Sequence, residues 1–319
     1  MNSTEKQPAS RRPIKIGDAI NLALEMAENN QNPTYGIPSG LPSLDRLTRG
    51  WREGELIIIG ARPTNGKSAL ALTMARNAAV DFDVPTAYFS MEISVTQLTD
   101  RLIVSESGVP MEKLRGMDKM EEPDWQQVEA SVSKLAKAPL YIDDSLGIIM
   151  GELRERIKDL VLHHGVKLIF IDCFQLLLPD APRSSSSYRK ERKEELCLIK
   201  EMALEFKVPI IVLSQVGKPK RRNYYGPVYA ELDTLCPYAD EYADKIILLH
   251  RPGMFGIDPD FSEDGTDSLR LFLIKNNSGS TGIIDFRFDR NRLRVTDPEE
   301  DRFGSVMSYS FDDSEADPF

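Results

Sequence analysis

Cysteine is scarce in this chain. Cys173, Cys197 and Cys236 lie far apart, and no CxxC pair occurs. A disulfide framework and a zinc ribbon are therefore not expected, and a reducing, cytoplasmic compartment fits. Histidine is equally sparse at three residues, none in an HExxH setting, which argues against a His-based metal centre. No window holds 18 consecutive apolar residues, so no transmembrane helix and no membrane partner are expected. The opening MNSTEKQPASRRP has no apolar core of the kind a secretory signal needs. Positive charge is also short. Lys and Arg number 40 against 50 Asp and Glu, and a net charge of −10 by itself disfavours a simple basic nucleic-acid binder.

The distribution of that charge matters more than its size. Residues 297–319 carry eight acids and one base, Arg302, a net of −7, which leaves only −3 for the other 296 of the 319 residues. The acidity belongs mostly to an expected disordered tail over 297–319. At the other end, 1–13 reads as a disordered polar lead. An amphipathic helix over roughly 14–29 follows, with Ile16, Ile20, Leu24 and Ala27 on one face. A turn-rich linker leads from it to a core that starts near Gly36.

Within 36–296 the pattern alternates. Leu56–Gly60, Thr86–Ser90, Leu140–Ile142, Lys167–Ile171 and Val208–Leu213 read as strands. Lys67–Ala79 and residues 94–107, 122–136, 149–164 and 188–206 read as helices. Near-continuous apolar strands alternating with helices predict an α/β fold, a mainly parallel sheet covered on both faces. After residue 244 the helices stop. Lys245–Leu249, Leu269–Ile274, Gly282–Phe288 and Arg292–Val295 read as antiparallel strands added at the sheet edge.

The strongest chemical signal is Ala61-Arg62-Pro63-Thr64-Asn65-Gly66-Lys67-Ser68, between an apolar strand and a helix. Gly66 lets the backbone approach an anion, and the helix N-terminus points its amides at phosphate. Lys67 supplies charge, and the Ser68 hydroxyl can ligate Mg²⁺. The strict pattern asks for glycine at 61, where Ala stands with Gly60 before it. Asp172 closes the apolar run Leu168–Ile171 at the strand end where such sheets bind ligands, as a second Mg²⁺ ligand or as a plain strand cap. Glu92 follows Thr86–Ser90 on the same edge and can activate water, or else is a solvated helix-start acid. Gln215 ends the next strand and can sense the γ-phosphate, or is an ordinary polar end.

These positions, in this order, resemble the C-terminal motor domain of DnaB-type replicative helicases (superfamily 4, RecA-like core). The strings that carry the resemblance are TYGIPSGLPSLDRLTRG (Thr34–Gly50), ARPTNGKS (Ala61–Ser68), FSMEI (Phe89–Ile93), YIDDS (Tyr141–Ser145), LIFIDCFQLL (Leu168–Leu177) and VPIIVLSQ (Val208–Gln215). The resemblance implies a RecA-like P-loop NTPase core, ATP and Mg²⁺ as cofactors, and a ring, usually a homo-hexamer, that translocates on single-stranded DNA during replication. It implies phosphate binding by residues 61–68, Mg²⁺ at Ser68 and Asp172, water activation by Glu92, coupling through Gln215, and action in trans by Lys275. Helix 14–29 then corresponds to the helix that docks on a neighbouring subunit.

Three departures are expected to matter. The family's N-terminal helical domain has no counterpart in this sequence, so primase or loader contacts made through it cannot be assumed. Asn277 stands where an arginine finger belongs, which implies slow hydrolysis unless Arg270 or Arg287 substitutes. The segment Leu232–Asp244 lacks the family's DNA-loop composition. DNA contact is therefore assigned to Lys218, Lys220, Arg221 and Arg222 with Tyr224 and Tyr225, as phosphate neutralisation beside base stacking, or the run is a solvated loop. A second basic cluster comprises Arg183, Arg189, Lys190, Arg192 and Lys193, either a further DNA contact or a solvated helix face. The acidic tail ends in Pro318-Phe319, either a solubilising tail or a tip that recruits replication partners. A different class of function also fits: a nucleotide-binding, weakly hydrolysing paralogue that loads or remodels replication proteins.

Overall fold

A computed structural model describes residues 15–18, 20–21, 24, 36–178, 188–217, 235, 238–252 and 265–299. Gly36–Ser308 forms one compact unit, and the described residues before it belong to another. In that smaller unit positions 16–18, 20, 21 and 24 are helical, with Ile16, Ile20 and Leu24 exposed.

Nine strands build one sheet: β1 (Leu56–Ala61), β2 (Thr86–Ser90), β3 (Leu140–Asp143), β4 (Leu168–Asp172), β5 (Ile210–Gln215), β6 (Lys245–His250), β7 (Thr266–Asn276), β8 (Gly282–Asp289) and β9 (Arg294–Thr296). Their order is β3-β2-β4-β5-β1-β6-β7-β8-β9. Every pairing from β3 to β6 is parallel. Every pairing from β6 to β9 is antiparallel. This is the RecA-like P-loop architecture, a mainly parallel sheet flanked by helices with antiparallel strands at the C-terminal side.

Side-chain alternation divides the core in two. From β1, Ile57, Ile59 and Ala61 meet Leu70, Ala71 and Met74 of the helix Lys67–Arg76, while Leu56 and Ile58 meet Leu196, Ile199 and Met202 of the helix Tyr188–Phe206. Strands buried on both faces need apolar side chains at every position, which is why β1 reads as LIIIGA. In β8 the pattern changes. Ile284, Phe286 and Phe288 are buried while Ile283, Asp285 and Arg287 alternate outward, as in a sheet wetted on one side.

Two expectations are corrected. β6 is not part of the antiparallel addition. It pairs parallel with β1 and is buried at all six positions, as its Ile-Ile-Leu-Leu run requires. The acidic segment does not begin as a tail at 297. Asp297 is buried, accepting from the Ser43 backbone N–H at 2.7 Å and its hydroxyl at 2.9 Å, and Glu299 pairs with Arg46. Three short helices, Pro42–Thr48, Met111–Leu114 and Ala239–Tyr242, were not anticipated. Residues 300–319 lie outside the described residues.

Candidate nucleotide site

Parallel strands end in register, and that register assembles the site. β1, β2, β4 and β5 all finish at one edge of the sheet. Ser90 pairs with Asp172, and Ala61 with Gln215. Residues 62–66 turn back from β1 into the helix Lys67–Arg76. Two positions take left-handed backbone, Thr64 at φ 66° and Gly66 at φ 83°. Gly66 makes the sharp entry to the helix without side-chain strain. Gly60 has a different role from the one its place beside the motif suggests. A Cβ there would come within 2.4 Å of the Leu235 side chain and 2.8 Å of Leu248, so a larger residue would have to push these side-chain ends aside. Ala61 is a paired, fully buried strand residue, and the loop proper starts at Arg62.

The Lys67 ammonium lies 2.8 Å from Asp172 Oδ1. The Tyr88 hydroxyl donates to Asp172 Oδ2 at 3.0 Å. Asp172 is fully buried, so both of its oxygens need such partners. Burial pushes the Tyr88 phenol well above its usual range, and the Asp172 charge adds to this, so Tyr88 is a permanent donor. No local signal marked Tyr88, since it reads as one more strand residue.

Glu92 is presented by a closed turn. Ser90 Oγ donates to the Ile93 carbonyl at 2.6 Å and accepts the Ile93 N–H at 3.2 Å. Met91 N–H donates to the Asp172 carbonyl at 2.6 Å, which holds this turn against β4. The exposed Glu92 carboxylate, the Asp172 carboxylate and the Cys173 thiol consequently lie within 4.8 Å of one another. Burial raises the Cys173 thiol, with Lys67 working against it, so the sulfur is a neutral donor and its hydrogen bond goes to Gln175 Oε1 at 3.3 Å. Carboxylate and hydroxyl oxygens suit a hard cation such as Mg²⁺, and Ser68 in the first turn of the helix supplies the hydroxyl.

The loop is braced from the antiparallel side. Asn65, 2% exposed, accepts the Arg251 backbone N–H at 2.9 Å, and the Arg251 guanidinium donates to the Thr64 carbonyl at 3.2 Å. Arg251 is itself paired with buried Asp267 and sits 4.6 Å over the Phe288 ring. Sequence reading missed this residue, because its partners are distant along the chain.

Gln215 stands at the exposed end of β5, on the same edge as the loop. Lys275 does not. It lies in β7 opposite Ile246, and its ammonium donates to the Asp240 carbonyl at 2.7 Å. Asn277, one turn on, donates its backbone N–H to the Asp244 carbonyl at 2.9 Å, and Asp244 binds Leu56 at the start of β1. Six residues of strand, roughly 17 Å, separate that end of the sheet from the loop in the same chain. Arg270 and Arg287 do not share the Lys275 end. Arg270 pairs across from His250 and is bonded to Asp285 at 2.6 Å, and Arg287 pairs across from Ser268.

Lys218, Lys220, Arg221 and Arg222 lie outside the described residues, as do Arg183 and the tail's Pro318-Phe319. The second basic cluster loses two members. Arg192 is buried and paired with Glu195 at 2.7 Å, and Lys193 pairs with Glu241 at 2.9 Å. Among the described residues no helix is long and apolar enough to cross a membrane.

A strand, a glycine turn and a helix carrying Lys67, set against a buried carboxylate at the end of β4, define a P-loop nucleotide-binding protein. The comparisons narrow this. The chain belongs to the DnaB-like helicase C-terminal domain family, whose model matches residues 36–297. It is 34% identical over 284 residues to the replicative DNA helicase DnaB of Treponema pallidum, covering 88% of this chain and 60% of that protein. The corresponding helicase of Leifsonia xyli is 31% identical over 288 residues, 89% of this chain and 61% of that protein. The chain thus spans about 60% of the length of these curated relatives. Among solved structures, the ATPase domain of G40P matches with a TM-score of 0.78 at 24% identity, over 89% of this chain and 99% of that one. A DnaB-like replicative helicase studied with primase matches at 0.74 and 22% identity, over 91% and 68%.

Proposed function

We propose that this domain is an ATP-hydrolysing motor of the DnaB type that moves along single-stranded DNA in replication. The single observation that supports it most is the Lys67–Asp172 contact with Glu92 beside it. Phosphate charge would be met by Lys67 and the amides of residues 62–68, and Mg²⁺ would be held by Ser68 and Asp172. The bound cation would neutralise charge developing on the transferred phosphoryl oxygens. Glu92, exposed and 4.8 Å or less from Asp172, would take a proton from water. Lys275 would serve the site of an adjoining copy, which fits a homo-hexameric ring. Lys218, Lys220, Arg221 and Arg222 would grip the strand, directly after Gln215. A primase, a loader or another replication protein is the expected partner, through the acidic Pro-Phe end among other surfaces, in the cytoplasm.

One observation favours the second reading, a weakly hydrolysing paralogue. The Asn277 side chain is neutral and reaches the Asp244 carboxylate at 3.4 Å, so it brings no positive charge to a neighbouring site. Steady-state ATPase with and without oligo-dT, beside strand displacement on a forked duplex, tests both. DNA-stimulated turnover and displacement support the motor. Turnover indifferent to DNA overturns it in favour of the paralogue.

A further inference from the structure

β4 and β5 stop pairing at Asp172 and Leu213, yet the two strands do not simply part there. Gln175, in the turn Phe174–Leu176, reaches across and takes over the ladder. Its Oε1 accepts the Gln215 backbone N–H at 2.9 Å, and its Nε2 donates to the Gln215 carbonyl at 3.1 Å. A side-chain amide that meets both main-chain groups of one residue imitates a neighbouring strand. Two more bonds complete it: Nε2 donates to Ser214 Oγ at 2.9 Å, and Oε1 accepts from the Cys173 thiol at 3.3 Å.

The main chain that carries this amide is fixed as well. Arg192 donates to the carbonyls of Phe174 at 2.9 Å and Gln175 at 3.3 Å, and its guanidinium lies 5.0 Å over the Phe174 ring. Arg192 is 2% exposed and held by Glu195. The turn therefore cannot shift independently of the helix Tyr188–Phe206. Asp172 is three residues before Gln175, and the basic run at 218 begins three residues after Gln215. A movement of the strand end at Gln215 must be shared by the turn beside Asp172, or break the three hydrogen bonds that join Gln175 to β5.

We propose that Gln175 is a positioning residue that couples nucleotide state at Asp172 to the segment following Gln215. This rests on the motor reading above. The side chain's proposed action runs through its bonds to Ser214 and Gln215, not through the chemistry itself. Its role is to make the ends of β4 and β5 move as one body. Allosteric coupling is a free energy shared between two sites, and it is reciprocal. The amide network supplies a contiguous route for it.

The test measures coupling directly. Affinity for a non-hydrolysable ATP analogue with Mg²⁺ is titrated with and without oligo-dT. In the unmodified chain, oligo-dT is expected to change that affinity by a factor on the order of 5–150. In Gln175→Ala the factor is expected to fall below about 2, while DNA-free nucleotide affinity stays within about twofold. Ser214→Ala, which deletes one bond of the network, should lower the factor less and add nothing to Gln175→Ala. Gln175→Glu keeps the length but sets a carboxylate against the Gln215 carbonyl, and should behave like Gln175→Ala. If Gln175→Ala misfolds, Ser214→Ala and Gln175→Glu carry the test. A coupling factor unchanged in the folded variants overturns the inference and leaves the motor reading standing. Absence of any factor in the unmodified chain overturns the motor reading, and the inference with it.

Discussion

The two halves of the sheet divide the labour. The parallel half is dry on both sides from β2 to β6, with only its edge strand β3 half-exposed, and its strands end in the groups proposed to meet nucleotide: Asp172, Gln215 and the loop after β1. The antiparallel half, β7 to β9, is wetted on one side and contributes Asp267 and Phe288, which brace Arg251 just after β6, and a turn at the far end carrying Lys275 and Asn277. Parallel strands bring their ends to one edge, so chemistry collects there. Antiparallel strands return the chain to the opposite end, and the same connection places a polar group remote from its own loop.

The division can be broken outright at the parallel edge. Lys67→Ala should lower ATP turnover about 10²-fold or more in a phosphate-release assay, because it deletes the positioned charge. It should also lower the melting temperature, since buried Asp172 then keeps only Tyr88. The next test asks whether the antiparallel turn acts on a neighbour. Asn277→Arg should raise kcat roughly tenfold or more in the assembled protein, the range open to an arginine finger. Mixing the double variant Lys67→Ala/Asn277→Arg with the unmodified chain should also raise turnover, because an intact loop then receives its finger from a different copy.

The brace comes third. Arg251→Ala leaves Asp267 buried beside Arg290 alone, at 3.4 Å, and should destabilise the fold by about 3–5 kcal/mol in urea unfolding. If the antiparallel half only holds the loop in place, KM for ATP rises in that variant while kcat changes little. The smallest effect is at the seam, where His250 of β6 faces Arg270 of β7. Burial, then the charges of Arg270 and Arg62, lower the His250 pKa below 6.5. The unfolded chain therefore takes up the proton first. The stabilising contribution is complete above pH 6.5 and is lost as pH falls through the depressed folded value. Thermal unfolding of His250→Asn, compared with the unmodified chain from pH 7.5 to 5.5, should show a shallower decline.

Much of the parallel half was legible in the sequence, because dry strands are apolar without interruption and their polar ends stand out: Asp172 after LIFI, Gln215 after IIVLS, Lys67 after a glycine turn. β6 is equally dry, and it was misassigned only because no long helix precedes it. What stayed hidden was every contact made by a side chain reaching across elements. Tyr88, Arg251 and Gln175 have no spacing that announces them. Their partners are 84, 186 and 40 positions away. Asp297 was hidden for the same reason, as one acid among many until Ser43 is brought to it over 254 positions.

The separation of Lys275 and Asn277 from Lys67 also decides what kind of contact two copies can use. A two-fold pairing brings like surfaces together, so it cannot set the Lys275 turn of each copy on the loop of the other unless both surfaces share one patch. Here they sit at opposite ends of β1. A contact that joins them is heterologous and directional, with each copy lending one end and receiving at the other. Such a contact has no natural end except closure. Any assembly that completes these sites is a polar ring or an open spiral, with every copy facing the same way along it.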